Sequence, residues 1–362
     1  MIVGGSGMRK TGIYRDEIFL LHQPGYNHPE SPERLRVIYD ELDAFKARGA
    51  SFLEPRFSST SKEIIGVNHT QTLVKRIAAT AGKSHDFLDA DTHTSAESFD
   101  AACKAVGALL DGLERIHVGE LDNAFCLVRP PGHHAEKDRA MGFCLFNNVA
   151  IAAHYAVAKL GMERVLIIDW DLHHGNGTQQ SFYHTDKVMY ISTHQYPYYP
   201  GTGALLETGT GDGEGYTINV PLPGGQDDAD YARIFNELIG PVARKYRPQL
   251  IFVSAGFDIY KDDPLGSMKV TGAGFAYLTR VMVQLANELC DGSLLFTLEG
   301  GYNLNGMREG CIAVLGELLG ESPVEGYPRY LSEERAAQLS RAESALPSLD
   351  QAIKLVKNYW DI

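Results

Sequence analysis

The chain is most constrained by a set of short apolar runs that each stop at titratable or conformationally special residues. The run opening at Val165 reads VLIIDWDLHHGNG through Gly177, so branched aliphatic side chains lead straight into two carboxylates and two imidazoles. An apolar run of that length has the profile of a parallel strand buried on both faces. Asp171 and His173 are two apart, and on an extended backbone they point to the same side. A second run, 124–128, ends in Arg129-Pro130-Pro131-Gly132-His133-His134. Two prolines stop a central strand and stiffen the loop that presents the paired histidines. Leu250–Ala255 stops at Gly256-Phe257-Asp258, and Leu294–Leu298 stops at Glu299-Gly300-Gly301-Tyr302, where two glycines free the loop that sets the tyrosine. A further strand is expected over 216–220. Helical periodicity fills the intervals, most clearly over 146–160, 230–246 and 274–289. This alternation predicts an α/β fold with a mainly parallel sheet flanked by helices on both faces.

In open α/β sheets, ligands bind outside the carboxyl ends of the strands. Here four strand candidates end in Asp/His, His/His, Asp and Gly-Gly-Tyr. Carboxylates at the end of a buried strand need a compensating charge, and a metal ion is a common one. Asp171, His173 and Asp258 make a three-ligand set of hard oxygens with one nitrogen, suited to Zn²⁺, Fe²⁺, Co²⁺ or Mn²⁺. Catalytic zinc keeps three protein ligands and an open position, where it acidifies water and polarises a carbonyl. A rigidly presented histidine pair suits general acid–base work near neutrality. The Tyr302 hydroxyl is placed to stabilise an oxyanion, a contribution of roughly 3–4 kcal/mol in well-studied cases. With no cysteine or serine nucleophile in the pattern, the set describes metal-assisted amide hydrolysis. The plainer alternative, a cap of solvated polar residues on one strand, leaves the agreement among four strand ends unexplained.

As a set, these residues resemble the histone deacetylase superfamily, which includes the acetylpolyamine amidohydrolases. The motifs run in family order over roughly 28 to 302: HPESPER from His28 to Arg34, RPPGHH from Arg129 to His134, GFC from Gly142 to Cys144, DWDLHHGNG from Asp169 to Gly177, SAGFD from Ser254 to Asp258, and EGGY from Glu299 to Tyr302. The match looks closest to the class II branch and its bacterial deacetylase-like amidohydrolases. The resemblance implies an arginase-like α/β domain, with one Zn²⁺ on Asp171, His173 and Asp258. It makes His133 and His134 the tandem histidines, with His134 the general base and acid. Asp169 would orient His133, Asn176 would partner His134 (class I members carry aspartate there, class II asparagine), and Tyr302 would polarise the scissile carbonyl. Phe143 corresponds to one aromatic wall of an acyl-lysine tunnel and Tyr199 to the other, with Tyr198 an open alternative. Gly142, Gly301, Leu265 and His22 complete the substrate-binding set, His22 through the N-terminal loop that borders the pocket in relatives. Two structural K⁺ or Na⁺ sites are also implied. The first would use Asp169, Ser192 and backbone oxygens of Asp171, His173 and Thr193. The second would use backbone oxygens of Phe182, Thr185, Val188 and Tyr216.

Composition narrows the surroundings. A net charge of −13 disfavours general attraction to nucleic-acid phosphates. No twenty-residue apolar stretch suggests a membrane span. The opening MIVGGSGMRK lacks the apolar core of a signal peptide. Five cysteines without a CxxC pair give no disulfide framework and fit a reducing cytoplasm. Cys126 and Cys144 read as buried apolar residues. The glycine-rich 209–215 lacks the Lys-Ser/Thr of a phosphate loop and reads as a surface loop. The catalytic domain is expected over 1–320. The tail over 321–362 carries two amphipathic helices, 332–345 and 349–359, free to pack on the domain or on a second subunit of a homo-oligomer.

Three functions compete. The leading one removes acetyl or longer acyl groups from ε-N-acyl-lysine of proteins or peptides. A second is deacetylation of acetylpolyamines or another small N-acyl amine. Polyamine-selective relatives place a glutamate at the pocket rim after Asp-Pro, where this chain has Leu265 in Asp263-Pro264-Leu265-Gly266. An apolar rim offers no ion pair to a second ammonium group. A non-catalytic binding protein on the same fold is the third reading, opposed by the presence of every ligand position, both histidines and Tyr302.

Overall fold

The computed structural model describes residues 9–320 and 330–362. The opening segment 1–8 and residues 321–329, which begin the expected tail, lie outside the described residues. Seven strands form one sheet: β1 (Thr11–Tyr14), β2 (Asn123–Cys126), β3 (Val165–Asp169), β4 (Val188–Gln195), β5 (Thr217–Leu222), β6 (Leu250–Ala255) and β7 (Leu294–Leu298). Their order across the sheet is β1-β2-β7-β6-β3-β4-β5, and each neighbouring pair is parallel. Every residue of β3, β6 and β7 is buried, which is why these runs carry no polar alternation. A separate small hairpin pairs Asp86–Phe87 with His93–Thr94.

Helices connect the strands: α1 (Glu33–Ala47), α2 (Ser98–His117), α3 (Asn148–Ala158), α4 (Asn176–Phe182), α5 (Asp228–Ile234), α6 (Gly240–Tyr246), α7 (Gly272–Leu289) and α8 (Leu304–Leu319), with α9 (Glu333–Leu339) and α10 (Pro347–Val356) in the tail. Crossovers between parallel strands are right-handed. The connections through α2, α3 and α4 move across the sheet in one direction, and those through α5, α6 and α7 move back. The two groups therefore cover opposite faces. The direction reverses between β3 and β6, which lie side by side. That reversal opens a crevice at their carboxyl ends, the general ligand position of such sheets. Beneath it, Trp170 packs against Phe235 and Phe296, and Phe125 against Phe257 and Phe296.

Three expectations need adjustment. The helix read over 230–246 starts at Asp228 and is two α-helices joined by a π turn, Phe235–Ile239. The Gly240 N–H reaches the Phe235 carbonyl just before Pro241, which has no N–H with which to continue the regular ladder. The helix read over 332–345 ends at Leu339, its one buried residue. The strand read over 124–128 leaves the ladder after Cys126, ahead of the turn at Arg129-Pro130. In the tail, α10 buries Leu349, Ala352 and Val356. Trp360 donates to the Gly215 carbonyl (2.8 Å) and packs edge-on against Tyr216, so the 209–215 loop serves as the tail's seat.

A buried charge cluster ties the N-terminal segment to the sheet. Glu30 is fully buried and accepts hydrogen bonds from Arg34 (2.9 Å) and from both Nε and Nη2 of Arg129. Burial alone would raise the Glu30 pKa, but Arg129 and His22 hold it well below the usual carboxylate range. The depressed folded-state pKa means its stabilisation is present above the unfolded-state value and is lost as pH falls through the folded-state value. Replacing Glu30 with glutamine strands two buried guanidinium groups. We expect Glu30→Gln to lose about 3–5 kcal/mol of unfolding free energy near neutral pH, read from urea denaturation. A loss under about 1 kcal/mol would show that the cluster is not a structural tie.

Candidate metal and acid–base site

The ends of β3 and β6 deliver Asp171, His173 and Asp258 into the crevice. One ligand atom from each lies within 4.8 Å of the others, and all three residues are buried. His173 Nδ1 is 3.0 Å from Asp258 Oδ2 and 3.3 Å from Asp171 Oδ1. The carboxylates are held by backbone N–H groups: Leu172 donates to Asp258 (2.8 Å) and Gly300 donates to Asp171 (2.8 Å). The neighbouring chain has to be bare. A Cβ at Gly256 would lie 2.1 Å from Asp171 Oδ2, and one at Gly300 would lie 2.4 Å from Asp258 Oδ2. The electrostatics follow from crowding. Burial, then the Asp171 charge, push Asp258 up to about 7. Burial lowers the pKa of His173, but its two carboxylate neighbours outweigh that and lift it to about 9. A donor set of two carboxylates and an imidazole, buried and mutually repulsive, is what a divalent cation would relieve.

The RPPGHH turn brings the histidine pair alongside, with ring centroids 4.0 Å apart. His133 Nδ1 donates to Asp169 Oδ2 (3.1 Å), and Tyr190 donates to the same oxygen (2.9 Å). Burial alone would depress His133, but Asp171 and Asp169 raise it to about 10. His134 moves the other way, pushed well down by burial and by the charges on His133 and His173. Its Nδ1 faces the Asn176 side-chain oxygen at 2.9 Å, and the Asn176 amide group donates to Glu136 (2.7 Å). That orientation assigns the His134 proton to Nδ1 and leaves Nε2 able to accept one.

Above these groups is a pocket of about 300 Å³ lined by Phe143, Tyr198, Tyr199, Leu265, Tyr302 and His134, with Asp91, Gly142 and His173. Tyr198 and Tyr199 of the 196–201 loop both reach it. Tyr199 stands edge-on to His134 at 5.1 Å, and Tyr198 stacks on His173 at 5.7 Å. Phe143 meets Tyr302 edge-on at 5.9 Å. Phe143 and Gly142 both have positive φ, 67° and 58°, and their amides are fixed by Thr92 and Asp91 (3.1 Å each). Burial pushes the Tyr302 phenol well above its usual range against the opposing Arg34 charge, so it remains a hydrogen-bond donor.

His22 requires a correction. It is 1% exposed, bonded to Ser98 Oγ (2.7 Å) and facing Glu30 (3.3 Å), and it is absent from the pocket lining. Burial lowers the pKa of its ring, which faces the buried acid behind the pocket wall as a hydrogen-bond partner. Gly301 is also behind the wall, where its carbonyl accepts from Arg34 (2.5 Å). Of the cation-site residues, Asp169 and Ser192 face one another on adjacent strands. Thr193 follows Ser192 on β4, and Val188 begins that strand. The Phe182 carbonyl accepts from Thr185 N (3.3 Å), and the Tyr216 carbonyl accepts from Tyr190 N (2.9 Å).

Residue types and spacing did not reveal the supports of Tyr302. Asp263 accepts from the Tyr302 and Asn303 amides (2.6 and 2.9 Å), and the Asn303 side chain caps α8. The Arg34 guanidinium lies 5.0 Å from the Tyr302 ring centroid. All five cysteines are buried free thiols. Among the described residues, no helix is long and apolar enough to cross a membrane.

Comparison with known proteins agrees with this geometry. The histone deacetylase domain model matches residues 28–318. A probable deacetylase of Archaeoglobus fulgidus is 40% identical over 97% of this chain and 98% of its own length. Histone deacetylase 15 of Arabidopsis thaliana is also 40% identical, over 89% of this chain but 59% of the plant protein. A crystal structure of the HDA15 HD domain superposes with a TM-score of 0.85 at 37% identity, covering 96% of both chains. Sheet, site and sequence lead to the same place: this chain belongs to the histone deacetylase family of hydrolases.

Proposed function

We propose that the protein is a zinc-dependent deacylase acting on ε-N-acyl-lysine of proteins or peptides. The observation that carries this reading is the pocket itself: aromatic walls end at a buried Asp-His-Asp triad beside His134 and Tyr302. Asp171, His173 and Asp258 would hold the ion, which when bound supplies Lewis-acid polarisation of the acyl carbonyl and acidifies water. A structural K⁺ or Na⁺ near Asp169 belongs to the same proposal. It is supported by the Asp169–Ser192 pairing on adjacent strands.

The chain's own residues supply the rest. Phe143 and the two tyrosines sheathe an apolar lysine stem and exclude bulk water. His134 Nε2 takes a proton from the attacking water and returns one to the departing lysine amine. His133, held by Asp169, keeps a positive charge beside it. The Tyr302 hydroxyl donates to the carbonyl oxygen as negative charge builds there, a contribution of roughly 3–4 kcal/mol.

Acetylpolyamine hydrolysis is the second reading. Leu265 lines the pocket and offers no charge to a distal ammonium, while Asp91, also in the lining, keeps that reading alive. A panel of acyl-lysine peptides and acetylpolyamines decides between them. Acetyl-lysine peptides should give the higher kcat/KM, and Leu265→Glu should move the ratio toward N8-acetylspermidine by about one to two powers of ten. A parent enzyme that prefers the polyamine would overturn the peptide reading and point to Asp91.

The acid–base role of His134 generates a further prediction. At Gly142, φ is +58° and a Cβ would lie 2.4 Å from His134 Cδ2. Gly142→Ala should therefore displace the imidazole and lower kcat by roughly a hundredfold, as an error of about 1 Å does in oriented reactions. A kcat within about twofold of the parent would remove His134 from the proton-transfer step.

A further inference from the structure

Glu299 has no part in the chemistry above, although it is fully buried next to it. Its Oε2 accepts from the Gly132 N–H (2.7 Å) and from the His133 N–H (3.1 Å). Its Oε1 accepts from Ser254 Oγ (3.1 Å). Its own carbonyl accepts from Arg34 (2.5 Å), and the next residue's N–H holds Asp171. One side chain at the end of β7 thus grips the turn after β2 and the end of β6. Among the described residues, no backbone carbonyl serves as acceptor for the Gly132 or His133 amide. Without Glu299, two buried donors would lose their partners, and the turn that carries both histidines would be free to shift.

Resting on the acid–base roles proposed for the histidines, we propose that Glu299 is a positioning residue. It clamps the tandem-histidine turn to the segment that leads from β7 to Tyr302, so that the proton-transfer side and the oxyanion side of the reaction keep one fixed spacing. The clamp works through reach rather than charge. Both turn amides converge on a single oxygen, which a glutamine carbonyl can replace while its amide donates to Ser254. An aspartate keeps the charge but falls one methylene short.

Glu299→Gln and Glu299→Asp in the full chain form the test, with an acetyl-lysine peptide as substrate. Expected is a Glu299→Gln kcat within about threefold of the parent and a Glu299→Asp kcat lower by roughly tenfold to a hundredfold, with KM changed less than about twofold in both. Hydrogen exchange of the segment 129–135 should accelerate in Glu299→Asp and stay protected in Glu299→Gln, with metal content equal in all three proteins. Glu299→Gln impaired as badly as Glu299→Asp would overturn the proposal by showing that charge matters. Unchanged exchange or unchanged kcat in Glu299→Asp would overturn it too. If the parent turns over none of the acylated substrates, the functional reading fails, and the exchange measurement still decides whether the clamp exists.

Discussion

Negative charge held away from water is the condition on which this structure depends. Asp169, Asp171, Asp258, Glu299 and Glu30 are all fully buried. Each would be costly alone, and the fold answers each differently. Glu30 is matched by two arginines and a histidine. Asp169 is matched by His133 and Tyr190. Glu299 is satisfied by two backbone amides and a serine hydroxyl. Asp171 and Asp258 share His173 and a set of backbone N–H groups, and His133 Nε2 stands 3.8 Å from Asp171, so the two carboxylates where β3 and β6 diverge are balanced by imidazoles that must themselves carry protons. In the proposed function a bound cation would take over that role, held by Asp171, His173 and Asp258.

The same divergence explains why function sits at one end of the sheet. The connection after β3 runs one way across the sheet and the connection after β6 runs the other way. No crossover covers the space between their carboxyl ends. Residues that follow directly on those strands inherit the rigidity of a fully buried parallel ladder. The walls of the pocket come from loops instead, and these are pinned by side chains: Asp91 and Thr92 hold Gly142 and Phe143, and Asp263 holds Tyr302. Reactive groups on strand ends with aromatic walls on tethered loops form a site whose chemistry is fixed and whose rim is open to variation.

Much of this was legible in the residues themselves. β6 and β7 have the bounds expected from their apolar runs, because a strand buried on both faces admits at most a small hydroxyl residue, Ser254 in β6 and Thr297 in β7, before the charged groups that follow it. The grouping of Asp171, His173 and Asp258 was legible because all three follow closely on β3 and β6, two apolar runs that pair side by side, although the strands themselves stop at Asp169 and Ala255. The supports were not. Glu299 and Asp263 act on backbone amides of segments far away in sequence, and no spacing encodes such a contact. His22 was misread for a related reason. The resemblance sets its loop at the pocket rim, but its ring turns inward between Glu30 and Ser98, and the serine is near it only in three dimensions. The π turn at Phe235–Ile239 is equally silent, since its side chains keep a helical apolar pattern and only Pro241 hints at the broken ladder.

The central claim is that a divalent ion at the Asp171–His173–Asp258 centre is inseparable from activity. Its most direct test is metal analysis of purified protein together with acetate release from an acetyl-lysine peptide, for the parent and for Asp258→Ala. The account predicts about one zinc-class ion per active chain and the joint loss of ion and acetate release in the variant. Full activity in protein that contains no divalent ion would contradict it.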